Sequence, residues 1–150
     1  ERDAELDKLG ALLRDGTREL LELMPNLPKE TAGILENVRE NEHHLRAMLE
    51  SLRDIPIVGD VRGAGYFHAI ELVKDRETKE SFHGEDAETL LRGYLSGELY
   101  RRGLICRADD RGDPVIQLAP PLIAGPEQFE EIEAILRPVL EEASRRMDSH

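Results

Sequence analysis

The sequence predicts an α+β domain with a small, mostly antiparallel sheet and helices packed on one face. Two observations predict this fold. Apolar residues recur at helical spacing in four segments, and short β-branched segments that contain glycines or flank a turn sequence lie between them. The predicted order is helix, helix, strand pair, helix, hairpin, helix, which is typical of helices gathered on one side of an antiparallel sheet.

An N-terminal helix is predicted over residues 3–24, where apolar side chains recur at spacings of three, four and seven. Pro25 and Pro28 follow it, and proline cannot continue a helix interior because it lacks the amide hydrogen. We therefore expect an N-terminal helical extension over residues 1–33 and a separate domain over residues 34–150. The apolar stripe of the extension is Leu6, Leu9, Leu13, Leu20 and Met24.

The second helix is predicted to begin after Thr31, a suitable N-cap, and to end near Arg53, before Ile55 and Pro56. Residues 57–73 then read as two strand segments that meet at a bend or bulge, because β-branched residues alternate there with three glycines. Residues 74–85 are polar and without periodicity, which predicts an exposed loop.

A third helix is predicted from Ala87 to Arg102, with Gly103 as its stop. Residues 104–107 and 115–118 are short apolar strands, and the Asp, Gly and Pro residues between them favour a hairpin turn. The last helix is predicted to begin at Pro126, with a kink at Pro138.

Composition restricts the classes of function. A chain of 150 residues can bury a real core, but its net charge of −12 opposes binding to nucleic acid and to anionic membranes. It contains no run of about 18 apolar residues, and its first residues lack the pattern of a signal peptide. The single cysteine, Cys106, fits a reducing compartment and a small core residue. We expect a soluble cytoplasmic protein.

Three motifs occur in a fixed order: residues 60–72 (DVRGAGYFHAIEL), residues 103–107 (GLICR) and residues 117–123 (QLAPPLI). Together they resemble the C-terminal small domain of class III pyridoxal-phosphate-dependent aminotransferases, most closely those that act on ω-amino acids or amines with pyruvate. The resemblance covers roughly residues 35–147. It implies the small-domain fold of fold-type I pyridoxal-phosphate enzymes, and amino-group transfer to a 2-oxo acid in the intact enzyme.

The resemblance also implies roles for particular residues. The arginine that matches Arg107 binds a substrate carboxylate, whereas the residues alone favour a surface or ion-paired arginine. Arg62, Gly63, Gly65, Pro120 and Pro121 form the motifs near the site. For the two glycines the alternative is a purely structural bulge.

No metal site and no catalytic residue is expected in this chain. The acidic residues around the turn at 109–113 are better explained as a solvated loop than as a calcium site. His43 and His44 are expected to point in different directions from their helix, and His68 and His83 lack a ligand partner at a recognisable spacing.

The cofactor chemistry of the family needs a lysine that forms a Schiff base with pyridoxal phosphate. In the resembling enzymes that lysine lies in the large domain. None of Lys8, Lys29, Lys74 and Lys79 has a matching flanking sequence. We therefore expect pyridoxal phosphate in the parent enzyme, no cofactor on this chain alone, and no activity of the isolated chain.

Two hypotheses follow. The chain is either an aminotransferase part that works with a large domain, or a non-catalytic module that kept the fold and serves in oligomerisation or partner binding. The expected partner is the large domain or a second copy of the chain in a homo-oligomer. Residues 1–33 are open to three explanations: an unrelated fused segment, a remnant of the enzyme's own N-terminal region, or a helix that covers apolar surface.

Overall fold

The computed structural model describes the backbone of residues 29–109 and 114–148, with the side chains of residues 33–108 and 114–147. The N-terminal helix predicted over residues 3–24 and the acidic turn at 110–113 lie outside the described residues. Contacts divide the chain into two units, Glu1–Glu36 and Asn37–His150. The second unit contains the whole sheet.

The first described helix, α1, spans Lys29–Ser51, and a 3₁₀ turn over Leu52–Asp54 follows it. The prediction that this helix begins after Thr31 was wrong by a few residues. Lys29 is already helical, so Thr31 lies inside the helix and is not its N-cap. The helix ends where predicted, because Ile55 adopts an extended backbone ahead of Pro56.

Two antiparallel strands, β1 (Val58–Ala64) and β2 (Phe67–Asp75), confirm the predicted strand pair. The two segments meet at a turn over residues 65–66, as the predicted bend requires, and a separate register shift between Val58 and Asp60 lies at Gly59. A Cβ on Gly59 would lie 2.7 Å from a methyl group of Val73. The glycine therefore permits the close approach of the two strands.

The exposed loop predicted over residues 74–85 was partly wrong. Strand β2 continues to Asp75, and the two-residue strand β3 (Glu80–Ser81) pairs with it. The residue after β3, Phe82, is buried. The Asp75 carboxylate reverses the chain because it accepts hydrogen bonds from the amides of Glu77 and Thr78, at 2.7 and 3.0 Å. A strand of two residues is too short to produce a periodic signal.

The third predicted helix exists but begins three residues early. It consists of α2 (Gly84–Leu90), a π-helical turn (Leu91–Leu95) and α3 (Ser96–Arg101). Gly103 ends it with a φ of +92°, as predicted. Single π turns widen a helix locally, and no sequence signal indicated this one.

The predicted hairpin is confirmed, with strands β4 (Arg107–Asp109) and β5 (Val115–Leu118) paired in antiparallel fashion. The start of its first strand was misplaced, because residues 104–106 are not in the sheet. The amide of Leu104 instead donates to the carbonyl of Leu99, at 2.9 Å, and so stays with the helix end. The last helix, α4 (Pro126–Asp148), continues through Pro138.

The sheet has the strand order β1-β2-β5-β4, with β3 beside β2, and every pairing is antiparallel. One face of the sheet packs against the helices and forms the core. This arrangement confirms the predicted α+β fold. No described helix has the length and apolarity needed to cross a membrane. The core side chains include Val61, Ile70, Leu72, Ile116 and Leu118 from the sheet and Leu45, Leu49, Leu91, Leu95, Phe129, Leu136 and Leu140 from the helices.

Candidate functional site

The sheet face that points away from the core carries the sequence motifs, and we call it the open face. Along β5 the buried residues are Ile116 and Leu118, so Val115 and Gln117 lie on the open face. Cross-strand pairing sets Arg62, Ala69, Gln117 and Arg107 in one row across the four strands. The open face is defined here by this row.

Arg107 is exposed at the start of β4 and lies directly opposite Gln117. Its neighbour Ala108 is opposite Ile116 and packs against the core. Because side chains alternate along a strand, Arg107 projects from the open face. A guanidinium there offers a planar set of N–H donors that matches a carboxylate.

Arg62 begins the row on β1 and pairs with acidic neighbours. Its guanidinium lies 3.5 Å from the carboxylate of Glu71 and 4.0 Å from that of Asp60. Arg53 contacts the same Asp60 carboxylate at 3.4 Å. The charge of Arg62 is therefore compensated within the domain.

The turn between β1 and β2 needs both of its predicted glycines. Gly63 has a φ of +153°, and a Cβ there would lie 2.2 Å from the carbonyl oxygen of Phe67. Gly65 has a φ of +56°, and its amide donates to the carboxylate of Glu42 at 2.9 Å. Arg46 donates to the Gly63 carbonyl at 3.2 Å. These contacts give the glycines a structural role and attach the turn to α1.

His68 is buried beneath this turn and is 2% exposed. Its Nε2 donates to the carbonyl of Gly65 at 3.0 Å, and its Nδ1 faces Gly63. This agrees with the structural role expected from the sequence. The expectation for His43 and His44 was wrong, since their ring centroids lie 3.9 Å apart at the surface of α1.

Pro120 and Pro121 belong to a connection, residues 119–125, that links β5 to α4. Two side chains from distant elements fix it: Asn37 donates to the carbonyls of Leu122 and Ala124, both at 2.9 Å, and Tyr66 donates to Ala124 at 2.8 Å. Burial raises the pKa of the Tyr66 phenol. Sequence reasoning missed both residues, because nothing in a single sequence links positions 85 or 58 residues apart.

An apolar groove of about 580 Å³ lies beside this connection. Its wall is formed by residues 103–105, by residues 118–121 and by the first turns of α4. Ile105 is 83% exposed and Ile123 is 77% exposed at its margin. Ile105 and Ile123 thus form an exposed apolar patch at the margin of the groove.

Cys106, Lys74 and Lys79 are the thiol and the lysine amines among the described side chains. Partial burial raises the pKa of the Cys106 thiol to about 11. Lys74 forms an ion pair with Asp86, and that hydrogen bond raises the pKa of its amine. Lys79 is exposed in the turn before β3. An amine kept as an ammonium ion does not fit the role of a Schiff-base lysine.

The described residues hold no group of three or more His, Cys, Asp or Glu side chains that could bind a metal ion. The acidic turn considered in the sequence is only partly described, and residues 110–113 lie outside the described part. Among the described histidines, His68 is buried, and His43, His44 and His83 are exposed.

No protein-family model matches this sequence. Curated proteins do match it. A probable aminotransferase of Mycobacterium tuberculosis is 53% identical over 117 residues, which are 78% of this chain and 25% of that protein. The putrescine–pyruvate aminotransferase of Pseudomonas aeruginosa is 36% identical over 112 residues, 74% of this chain and 23% of that protein. The chain thus spans about a quarter of the length of these relatives.

A solved structure gives the same result for the fold. The ω-transaminase of Pseudomonas jessenii in complex with PMP matches with a TM-score of 0.67 and 29% identity, over 79% of this chain and 25% of that one. A different kind of protein matches a short stretch. Lon protease 2 of Sorangium cellulosum is 72% identical over 39 residues, 26% of this chain and 5% of that protein.

Proposed function

We propose that this chain, which is homologous to about a quarter of the length of known aminotransferases, acts as the C-terminal small domain of a class III pyridoxal-phosphate-dependent aminotransferase. The reaction proposed for the intact enzyme is transfer of an amino group from an amine or ω-amino acid to a 2-oxo acid such as pyruvate. The observation that carries the proposal is the 53% identity over 117 residues, together with the open face that presents Arg107.

Arg107 is proposed to bind the carboxylate of the substrate. Its exposed guanidinium at the strand start supports this role, because a ligand can approach it from the open face. Arg62 is proposed to hold β1 to β2 through Glu71, rather than to contact the substrate. The two prolines and two glycines of the motifs shape the connection and the turn on either side of the row.

Pyridoxal phosphate is the cofactor proposed for the intact enzyme, where it would supply the electron sink for transamination. The residues of this domain do not fit its covalent attachment, since Lys74 is paired with Asp86 and Lys79 is exposed in a turn. Cofactor attachment is therefore assigned to the large domain. This chain would contribute carboxylate recognition and one wall of the site.

The large domain is the proposed partner of the apolar groove. Three large apolar side chains near the groove are exposed: Ile105 by 83%, Leu122 by 50% and Ile123 by 77%. Contact of this apolar surface with water is unfavourable in free energy, so a partner that buries it would be stabilised. The same exposure also supports the second candidate function, an oligomerisation or partner-binding module that keeps the fold without catalysis. The experiment below separates the two functions.

The domain boundary is proposed near residue 33, and the segment before it is proposed to have a separate origin. The aminotransferase match leaves 33 of the 150 residues uncovered, and the protease match is 39 residues long. The protease match is longer than the uncovered part, so at least six of its residues are also covered by the aminotransferase match. The division of contacts after Glu36 supports a junction near the start of α1.

The test replaces the homologous quarter of the Mycobacterium tuberculosis relative with residues 34–150 of this chain. We expect a soluble hybrid that binds pyridoxal phosphate and transaminates pyruvate. In the hybrid, Arg107→Ala should raise the KM for pyruvate about a hundredfold, because a charged hydrogen-bonding partner is lost, and should leave the KM for a neutral amine donor unchanged. Arg92→Ala, at an exposed helical position, is the matched control.

A soluble, cofactor-loaded hybrid without transamination would contradict the catalytic proposal. It would favour the non-catalytic module instead, especially if the chain by itself forms a stable homo-oligomer. An active hybrid whose KM for pyruvate is insensitive to Arg107→Ala would remove Arg107 from the site and keep the family assignment.

A further inference from the structure

Gln117 stands beside Arg107 on the open face, and the sequence motifs gave it no role. The two residues are directly opposite each other in the antiparallel β4–β5 pair. Residues in this relation have Cβ atoms about 4.5–5.5 Å apart. Both side chains project from the same face, because Ala108 and Ile116 occupy the core side of this pair.

The chemistry of the two side chains is complementary toward one anion. A carboxylate has two oxygens with about four acceptor sites, and a guanidinium uses two of them in a bidentate contact. The amide of Gln117 carries two further N–H donors within reach of the same anion. It adds donors without adding charge, so it does not compete with the ligand for the guanidinium as a carboxylate would.

The rest of the row provides space without a competing cation. Ala69 lies between Gln117 and Arg62 in the row, and its side chain is only a methyl group. The open face therefore has space above Ala69 for a small ligand. Arg62 is paired with Glu71 at 3.5 Å and Asp60 at 4.0 Å. The Arg107–Gln117 end of the row combines a guanidinium and a side-chain amide beside the small side chain of Ala69.

We propose that Gln117 is a second substrate-binding residue, whose side-chain amide donates to the carboxylate that Arg107 holds. The ligand class is a small monocarboxylate of the 2-oxo acid or ω-amino acid type. This inference rests on the proposed function of Arg107. It adds that the neutral amide at position 117 is required for carboxylate affinity.

The experiment uses the full chain with ¹⁵N-labelled side chains and pyruvate as the probe, at constant ionic strength. We expect pyruvate to shift both the Gln117 side-chain amide and the Arg107 Nε–H resonances, and acetone, which lacks the carboxylate, to shift neither. Gln117→Leu should weaken pyruvate binding about tenfold, since one hydrogen bond to a charged group is lost. Gln117→Glu should weaken it more, because it adds like charge.

Thr89→Glu is the charge control, because it adds one negative charge at an exposed position of α2, away from the open face and the groove. It should leave the pyruvate affinity unchanged. In the hybrid enzyme, Gln117→Leu should raise the KM for pyruvate about tenfold at unchanged kcat, with no effect on the amine donor. A general loss of folding would lower kcat as well.

The outcomes separate the two proposals. If pyruvate shifts Arg107 but not Gln117, and Gln117→Leu binds pyruvate as well as the original chain, the role of Gln117 is overturned while that of Arg107 stands. If pyruvate shifts neither residue and the hybrid's KM is insensitive to both variants, the carboxylate site itself fails and the inference fails with it.

Discussion

The side-chain amide of Asn37 donates a hydrogen bond of 2.9 Å to the carbonyl of Ala124, which is 87 residues away in the chain. It donates a second, also of 2.9 Å, to Leu122, and Tyr66 completes the cluster from the β1–β2 turn. One side chain of α1 thus satisfies carbonyls of the connection that contains Pro120 and Pro121. The cluster connects α1 to the strand pair and to the connection over residues 119–125, and the latter two contain residues of the family motifs.

Removing this cluster should loosen the connection. Asn37→Ala leaves the Leu122 carbonyl without its donor, so we expect a loss of about 1–2 kcal/mol in the free energy of unfolding. Tyr66→Phe should cost about 1 kcal/mol, because Ala124 keeps the bond from Asn37. Urea denaturation measures both, with the exposed Glu40→Ala on the same helix as the control. Equal stability of all three variants would show that the cluster contributes nothing.

The two glycines at positions 63 and 97 should respond oppositely to alanine. At Gly63 a Cβ would lie 2.2 Å from a backbone oxygen and 2.5 Å from Nδ1 of His68, so Gly63→Ala should cost about 3 kcal/mol. At Gly97, inside α3, nothing lies within 4 Å, so Gly97→Ala should stabilise the helix by up to about 1 kcal/mol. Thermal unfolding followed by circular dichroism distinguishes the signs. A tolerated Gly63→Ala would contradict the described turn.

Cys106 should be unreactive in the folded protein. Its pKa of about 11 leaves about 0.1% thiolate at pH 8, so its reaction with a disulfide reagent should be far slower than in urea. The pKa of this thiol is higher in the folded state than in the unfolded state. At a pH between the two values, the folded thiol therefore stays protonated while the unfolded thiol is ionised. Stability from this group is complete below the unfolded pKa and is lost as the pH rises toward 11. Cys106→Ser, compared across that range, checks the pH dependence; equal reactivity with and without urea would refute the burial.

Residues 1–33 should be dispensable for the fold of the second unit. If the boundary proposed near residue 33 is right, a chain of residues 34–150 should keep an unfolding midpoint close to that of the full chain. Differential scanning calorimetry gives both midpoints and shows whether the full chain has a separate transition. A large loss of stability on deletion would instead support the idea that the extension covers apolar surface.

The elements with long apolar periodicity were predictable, whereas short or locally irregular elements were not. Helices α1 and α4 and the β1–β2 pair follow from repeated apolar residues and from proline and glycine positions. Strand β3 and the π turn at Leu91–Leu95 left no periodic signal. Strand β4 was misplaced because residues 104–106 are apolar like a strand, yet the amide of Leu104 bonds to the end of α3.

By itself the sequence determined the α+β class, the order of its main elements and the resemblance carried by three spaced motifs. These depend on local propensity and on side-chain patterns along one chain. Only the tertiary structure decided that Gln117 lies opposite Arg107 in the sheet. It also decided that Arg62 forms ion pairs with Glu71 and Asp60, and that Asn37 donates a hydrogen bond to the carbonyl of Ala124. Those relations depend on strand register and on contacts across dozens of residues, which one sequence does not encode in any local pattern.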